Sequence, residues 1–120
     1  MAGDLREVNL ELGMPTVDAA IRRLTYELNH SRVTGVAVLK LIHGYGSSGA
    51  GGRIRVEARK YLERLKGRRE ISDFIPGESF SIFNPETLAA FRRCNALRRD
   101  RDLERHNNGV TFVILKERTV

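Results

Sequence analysis

His43 stands directly before a run in which five glycines fall between Gly44 and Gly52, and Arg53, Arg55 and Arg59 follow it. An imidazole titrates near neutral pH and can pass a proton to or from an oxygen, glycines let a backbone approach a ligand closely, and guanidinium groups neutralise phosphate. Together they match what binding or cutting a phosphodiester needs: one group to activate or protonate an oxygen, and others to hold charge on the phosphoryl group. Glu11 adds a carboxylate able to hold a metal or orient His43, provided the first two strands are neighbours ending at one edge. Lys40 offers a further cation from a strand, and Tyr45 at the loop tip an aromatic face for stacking on a base or sugar.

Each of these residues has a plainer reading. A histidine at a strand end also serves to hydrogen-bond the turn that follows, a glutamate on a strand face usually meets water, and Tyr45 can pack over the loop. The loop contains no GxxxxGK[ST] pattern, and its GYGSSG satisfies GxGxxG without an acidic ribose partner at the expected spacing. Arg53 sits near a helix N-terminus, where a positive charge opposes the helix dipole, which favours an anion-binding role for it. His30 and His106 have no acidic or cysteine companions at useful spacing. The single cysteine, Cys94, excludes an intrachain disulfide, and no Cys/His spacing fits a structural zinc site.

These residues must be positioned by one domain, since the chain has 120 residues. Val8, Leu10 and Leu12 alternate in a strand over residues 7–12. Val17, Ala20, Ile21, Leu24 and Leu28 recur at helical spacing from Thr16 to about Ser31, with Pro15 at the start. The nearly continuous apolar run at 36–42, interrupted by Lys40, predicts a strand covered on both faces. A second helix runs from the glycines to Gly67, carrying Ile54, Ala58, Tyr61, Leu62 and Leu65 on one face. Residues 70–75 and 79–83 read as two strands or one broken at Pro76/Gly77. Asn84-Pro85 opens a helix expected to reach Arg105 with Leu88, Phe91 and Cys94 buried, and 110–116 forms a last strand. The order predicts an α/β fold, a single α/β sandwich whose mixed, mostly parallel sheet has about four strands. A final strand in such chains can run antiparallel.

The net charge of +6 is concentrated. Residues 53–69 carry eight bases against two acids, and 92–106 carry six against three, whereas 70–91 have four acids and no base. Clusters of this kind fit a phosphate backbone as partner. In the second cluster, helical ion pairing such as Arg98 with Asp102 would leave a solvated face; the alternative is an extended nucleic-acid footprint or a partner surface. No apolar run is long enough to span a membrane and no signal peptide is visible, so membrane partners are not expected and the location is expected to be cytoplasmic.

His43-Gly44-Tyr45-Gly46 closing a strand, followed by a Gly/Ser loop and a basic helix, resembles the Smr (small MutS-related) domain. LELGMPTVDAAIRRL at 10–24 is similar to that family's first strand, turn and helix opening, and NNGVTFVILK at 107–116 to its closing Gly-x-Thr strand. The resemblance covers about residues 8–66 and 107–116, with 71–106 as an elaboration longer than the usual connection. It implies nucleic-acid binding, with endonuclease (nicking) activity on structured DNA or RNA in several members, often assisted by Mg²⁺ or Mn²⁺; the domain also occurs at the C-terminus of certain MutS paralogues. Carried over by position, His43, Gly44 and Gly46 match the second motif. Glu11 stands at the acidic position of the first motif, and Gly13 where the family commonly has a histidine. The expected site is therefore His43 and Glu11 for catalysis, with Gly44, Tyr45, Gly46, Arg53, Arg55, Arg59 and Lys40 binding the nucleic acid. The alternative is a catalytically inactive nucleic-acid-binding or protein-interaction adaptor.

Overall fold

Asp4–Asn9 forms the first strand, β1, in the computed structural model, which describes residues 3–45 and 51–117. The alternation continues to Leu12, but the strand does not, because the Asn9 carboxamide accepts from the Glu11 N–H (2.8 Å) and turns the chain. Val8 and Leu10 are buried while Leu12 points to solvent. Helix α1 follows as Val17–Thr34, opened by Thr16, whose hydroxyl accepts from the Ala19 N–H (3.1 Å), and closed by Gly35. Strand β2 is Val36–Ile42 and helix α2 is Gly51–Gly67, ending at the expected glycine. Strand β3, Asp73–Pro76, leads into a 3₁₀ turn at Gly77–Ser79, helix α3 at Pro85–Arg93, a second 3₁₀ segment at Asn95–Arg99 and strand β4 at Val110–Ile114.

The four strands lie in the order β1-β2-β4-β3. β1 pairs parallel to β2, and β4 pairs antiparallel to both β2 and β3. The sheet is mixed, as expected, and three of its strands point one way. Two of its three pairings are nonetheless antiparallel, because the one reversed strand is inserted between two others instead of lying at an edge.

Helices α1 and α2 cover one face. Ala20, Leu24, Leu28, Ile54, Ala58 and Leu62 meet Leu39, Leu41 and Val113 there. The 71–106 segment covers the other face, bringing Phe80, Ala90, Phe91, Cys94 and Leu97 against Val38, Phe112 and Ile114. β2 and β4 are consequently buried on both sides, which accounts for their nearly continuous hydrophobicity, interrupted by Lys40 and Thr111. The expected strand at 79–83 is absent. Phe80 instead turns inward, its ring 4.1 Å from that of Phe112 and 6.4 Å from that of Phe91, while Ile82 and Phe83 face outward.

Asn84 caps α3 through the Glu86 N–H (3.0 Å), as the Asn-Pro pair predicts. The helix stops at Arg93 and not at Arg105, because Cys94 adopts extended backbone (φ −148°, ψ 99°) and redirects the chain. That bend carries both Cys94 and Leu97 into the second core. The inward face of α3 is Thr87, Ala90 and Phe91, and Leu88, expected inside, is exposed.

Candidate functional site

The end of β2 and the approach to β4 are tied together by backbone. The N–H groups of His43 and Gly44 both donate to the Gly109 carbonyl, each at 3.0 Å. His43 itself is fully buried. Its Nδ1 lies 2.8 Å from the Gly44 carbonyl and its Nε2 2.7 Å from Thr111 Oγ1. A carbonyl only accepts, so Nδ1 carries the ring proton and Nε2 takes the Thr111 hydroxyl hydrogen. Thr111 Oγ1 in turn accepts from Arg59 Nε at 3.1 Å. The result is a directed chain, Arg59 to Thr111 to His43 to Gly44, that crosses from α2 through β4 to the end of β2 and leaves both ring nitrogens occupied.

Burial first, then the nearby Arg59 and Arg55 charges, pull the His43 pKa down to about 4 against the opposing effects of the Gly44 hydrogen bond and Glu78. The imidazole is neutral at physiological pH. Arg59 is held from the other side by the Glu78 carboxylate, two oxygens to two guanidinium nitrogens at 2.8 Å each. Burial raises the Glu78 carboxyl, but the Arg59 hydrogen bond and charge outweigh it and leave its pKa below the usual range. Arg59 also donates to the Val110 carbonyl (3.2 Å). Arg55, one turn earlier on α2 and near enough to act on both His43 and Glu78, has a buried Nε with no hydrogen-bond acceptor among the described residues.

Glu11 reaches this edge from the turn after β1. Its carboxylate lies directly against the Gly44 Cα, so a side chain at residue 44 would collide with it, and Gly44 also has φ +71°. The left-handed backbone is what calls for glycine here, since the Glu11 carboxylate is the end of a flexible side chain that can swing aside. Gly13 in the same turn has φ +82°, a conformation a histidine adopts only with strain. Among the described residues no group of three or more His, Cys, Asp or Glu side chains converges to hold a metal. Glu11 is a lone carboxylate, Glu78 is bound to Arg59 and the His43 Nε2 lone pair is filled. This donor set does not fit a resident Mg²⁺ or Mn²⁺ ion.

Beside Gly44 the Tyr45 ring lies against Gly109, where a Cβ would stand 3.1 Å from it, and 58% of Tyr45 remains exposed. The ring borders an open groove of about 670 Å³ whose other wall is Arg101, Asp102, Arg105, His106, Asn107 and Asn108.

No family model matches the sequence, and no curated protein does. The fold is similar to the crystal structure of the Smr domain of Thermus thermophilus MutS2, with a TM-score of 0.56 and 26% identity, over 93% of this chain and 99% of that one. The chain is an Smr-like domain. Its mixed sheet and helices place the His-Gly sequence at a strand end, against the loop that leads into the last strand.

Within this Smr-like domain His43, Gly44, Tyr45, Arg55 and Arg59 gather at the β2/β4 edge, and Glu11 joins them through Gly44. Gly46 lies outside the described residues. Arg53 is exposed and faces the groove between α1 and α2 with Arg22 and Arg64. Lys40 is a correction. It projects to the opposite face of the sheet, 99% buried, with Nζ 2.6 Å from Asp102, 2.9 Å from Asp100 and 3.8 Å from Glu7. A cation enclosed by three carboxylates and the Phe112 ring has no face left for phosphate. Sequence reading missed Thr111, Glu78, Arg101 and Arg105. The two arginines lay in the basic cluster already noted and Thr111 in the closing Gly-x-Thr strand, though neither pattern gave them a role at the site; nothing marked Glu78.

Proposed function

We propose that this Smr-like domain binds the phosphate backbone of DNA or RNA at the β2/β4 edge, through Arg55 and Arg59 and the Gly44–Tyr45 backbone. The observation that carries this reading is the buried Arg55 Nε, which has no acceptor among the described residues and lies near a neutral histidine. A buried charged donor left unpaired is costly, and an arriving phosphate oxygen supplies the missing acceptor. The basic stretch at 53–69 adds long-range attraction. The test is fluorescence anisotropy on DNA and RNA oligonucleotides over a salt series. Arg55→Ala should weaken binding on all sequences alike and lower the slope of log K against log salt by about 0.9 on duplex DNA. An unchanged slope removes Arg55 from the interface.

Strand nicking is the finer half of the reading. It requires His43 to work through Nε2, which must first release the Thr111 hydroxyl. Plasmid nicking that His43→Ala abolishes in a folded protein would support it.

A protein-interaction adaptor is the second reading, favoured by Ile82, Phe83 and Leu88, which expose apolar surface near the start of α3, Phe83 to 87%.

A further inference from the structure

The 98–108 segment turns Asp100 and Asp102 inward and its arginines outward. Asp100 and Asp102 close on Lys40, and Asp102 also accepts from the Asn107 amide (2.9 Å). Glu104 reaches back to the Ser81 hydroxyl (2.8 Å) and the Ile82 N–H (2.6 Å). Left-handed backbone at Glu104 (φ 64°) and His106 (φ 54°), uncommon for residues other than glycine, produces this arrangement. Arg98 bonds Asn95 (2.8 Å) and lies over the Phe91 ring, so the helical pairing with Asp102 that would have cancelled its charge does not form. Among the described residues, Arg101, 72% exposed, has one ion pair, a 3.6 Å contact to Glu7, and exposed Arg105 has none.

These outward arginines stand across the groove from Tyr45. The groove's volume of about 670 Å³ is within the roughly 300–1,000 Å³ range of small-ligand sites. Its single acid, Asp102, is raised by burial but held below the usual carboxylate range by Asn107 and Lys40, so it stays ionised and its charge is met inside the protein. A half-exposed aromatic ring facing two exposed guanidinium groups, one of them held only by a long surface contact to Glu7, is the combination that holds an unpaired nucleotide: a π-face for the base and cations for its phosphates. Paired bases inside a duplex do not offer that face.

We propose that the Tyr45/Arg101/Arg105 groove is a subsite for an unpaired nucleotide, contiguous with the β2/β4 edge. The substrate class is then nucleic acid with a single-stranded segment beside a duplex. This rests on the nucleic-acid reading above. The base stacks on Tyr45, and Arg101 and Arg105 hold the flanking phosphates.

The experiment compares binding of a blunt duplex, the same duplex with a short single-stranded overhang, and the free single strand. Wild-type protein should favour the overhang over the blunt duplex by about tenfold or more, the scale of one base–aromatic stack. Tyr45→Leu should erase that preference, read as the ratio of overhang to blunt-duplex affinity. Arg101→Ala and Arg105→Ala should each lower the single-strand salt slope by about 0.7. If wild type binds both duplexes equally and Tyr45→Leu changes neither, the subsite is refuted and backbone binding stands. If wild type binds none of the three, the nucleic-acid reading itself falls, and the subsite with it. Thermal melts of each variant confirm that it is folded.

Discussion

Acidification from about pH 7 to about pH 5 should destabilise the domain through His43. The unfolded chain protonates this histidine with an ordinary pKa of 6.5, whereas the folded protein resists until about 4. Between those values the unfolded state holds more protons, so stability is present above the ordinary pKa and is lost as pH falls through the window. The full difference corresponds to about 3.4 kcal/mol, of which about 1.8 kcal/mol disappears between about pH 7 and about pH 5. For a domain of this size that is a fall in Tm of about 7 °C. Urea unfolding at a series of pH values measures it, and His43→Asn, which does not titrate there, should flatten the dependence by the same amount. The ring protons of His43 in two-dimensional NMR give the direct readout. A His43 midpoint near 6.5 would refute the buried, neutral imidazole and with it the proton directions from Arg59 through Thr111.

Glu78→Gln should release the Arg59 guanidinium from its bidentate partner, costing about 1 kcal/mol or less in urea unfolding because the pair is partly solvated, and raising phosphate-backbone affinity severalfold in anisotropy. Lys40→Ala should lower stability by about 3–5 kcal/mol, since it leaves Asp100 and Asp102 without their buried counter-charge; a urea titration that moves by less than about 1 kcal/mol would show those carboxylates to be solvated.

Local chemistry made much of the frame legible. Thr16 and Asn84 cap helices where their types predict, Gly67 ends α2, and the apolar run at 36–42 is a strand covered twice. The failures come where a distant residue overrides a local preference. Residues 85–105 have the composition of one long helix, but Asp100 and Asp102 are drawn to Lys40, some sixty positions earlier, and Cys94 to the second core. For the same reason Lys40 looked like a free cation. Thr111 reads as an ordinary β-former, and its place between Arg59 and His43 depends on a register that only the assembled sheet defines. The His-Gly sequence pointed to the right edge; the residues that surround it there come from α2, the 3₁₀ turn before α3 and β4.

The position of β4 also sets a timetable. During synthesis β1, α1, β2 and α2 emerge first and can assemble as a parallel pair under two helices, but β3 has no hydrogen-bonding neighbour until the strand that emerges after it has been inserted. Every pairing β4 makes with β2 spans some seventy residues of chain, the kind of distant closure that slows folding. Gly109 and Thr111 arrive with β4, so the hydrogen bond that fills His43 Nε2 forms only in that last step. A ribosome-bound chain lacking β4 would expose the apolar flank of β2 and leave His43 Nε2 without its Thr111 partner, so the proposed binding edge is completed only when the sheet closes.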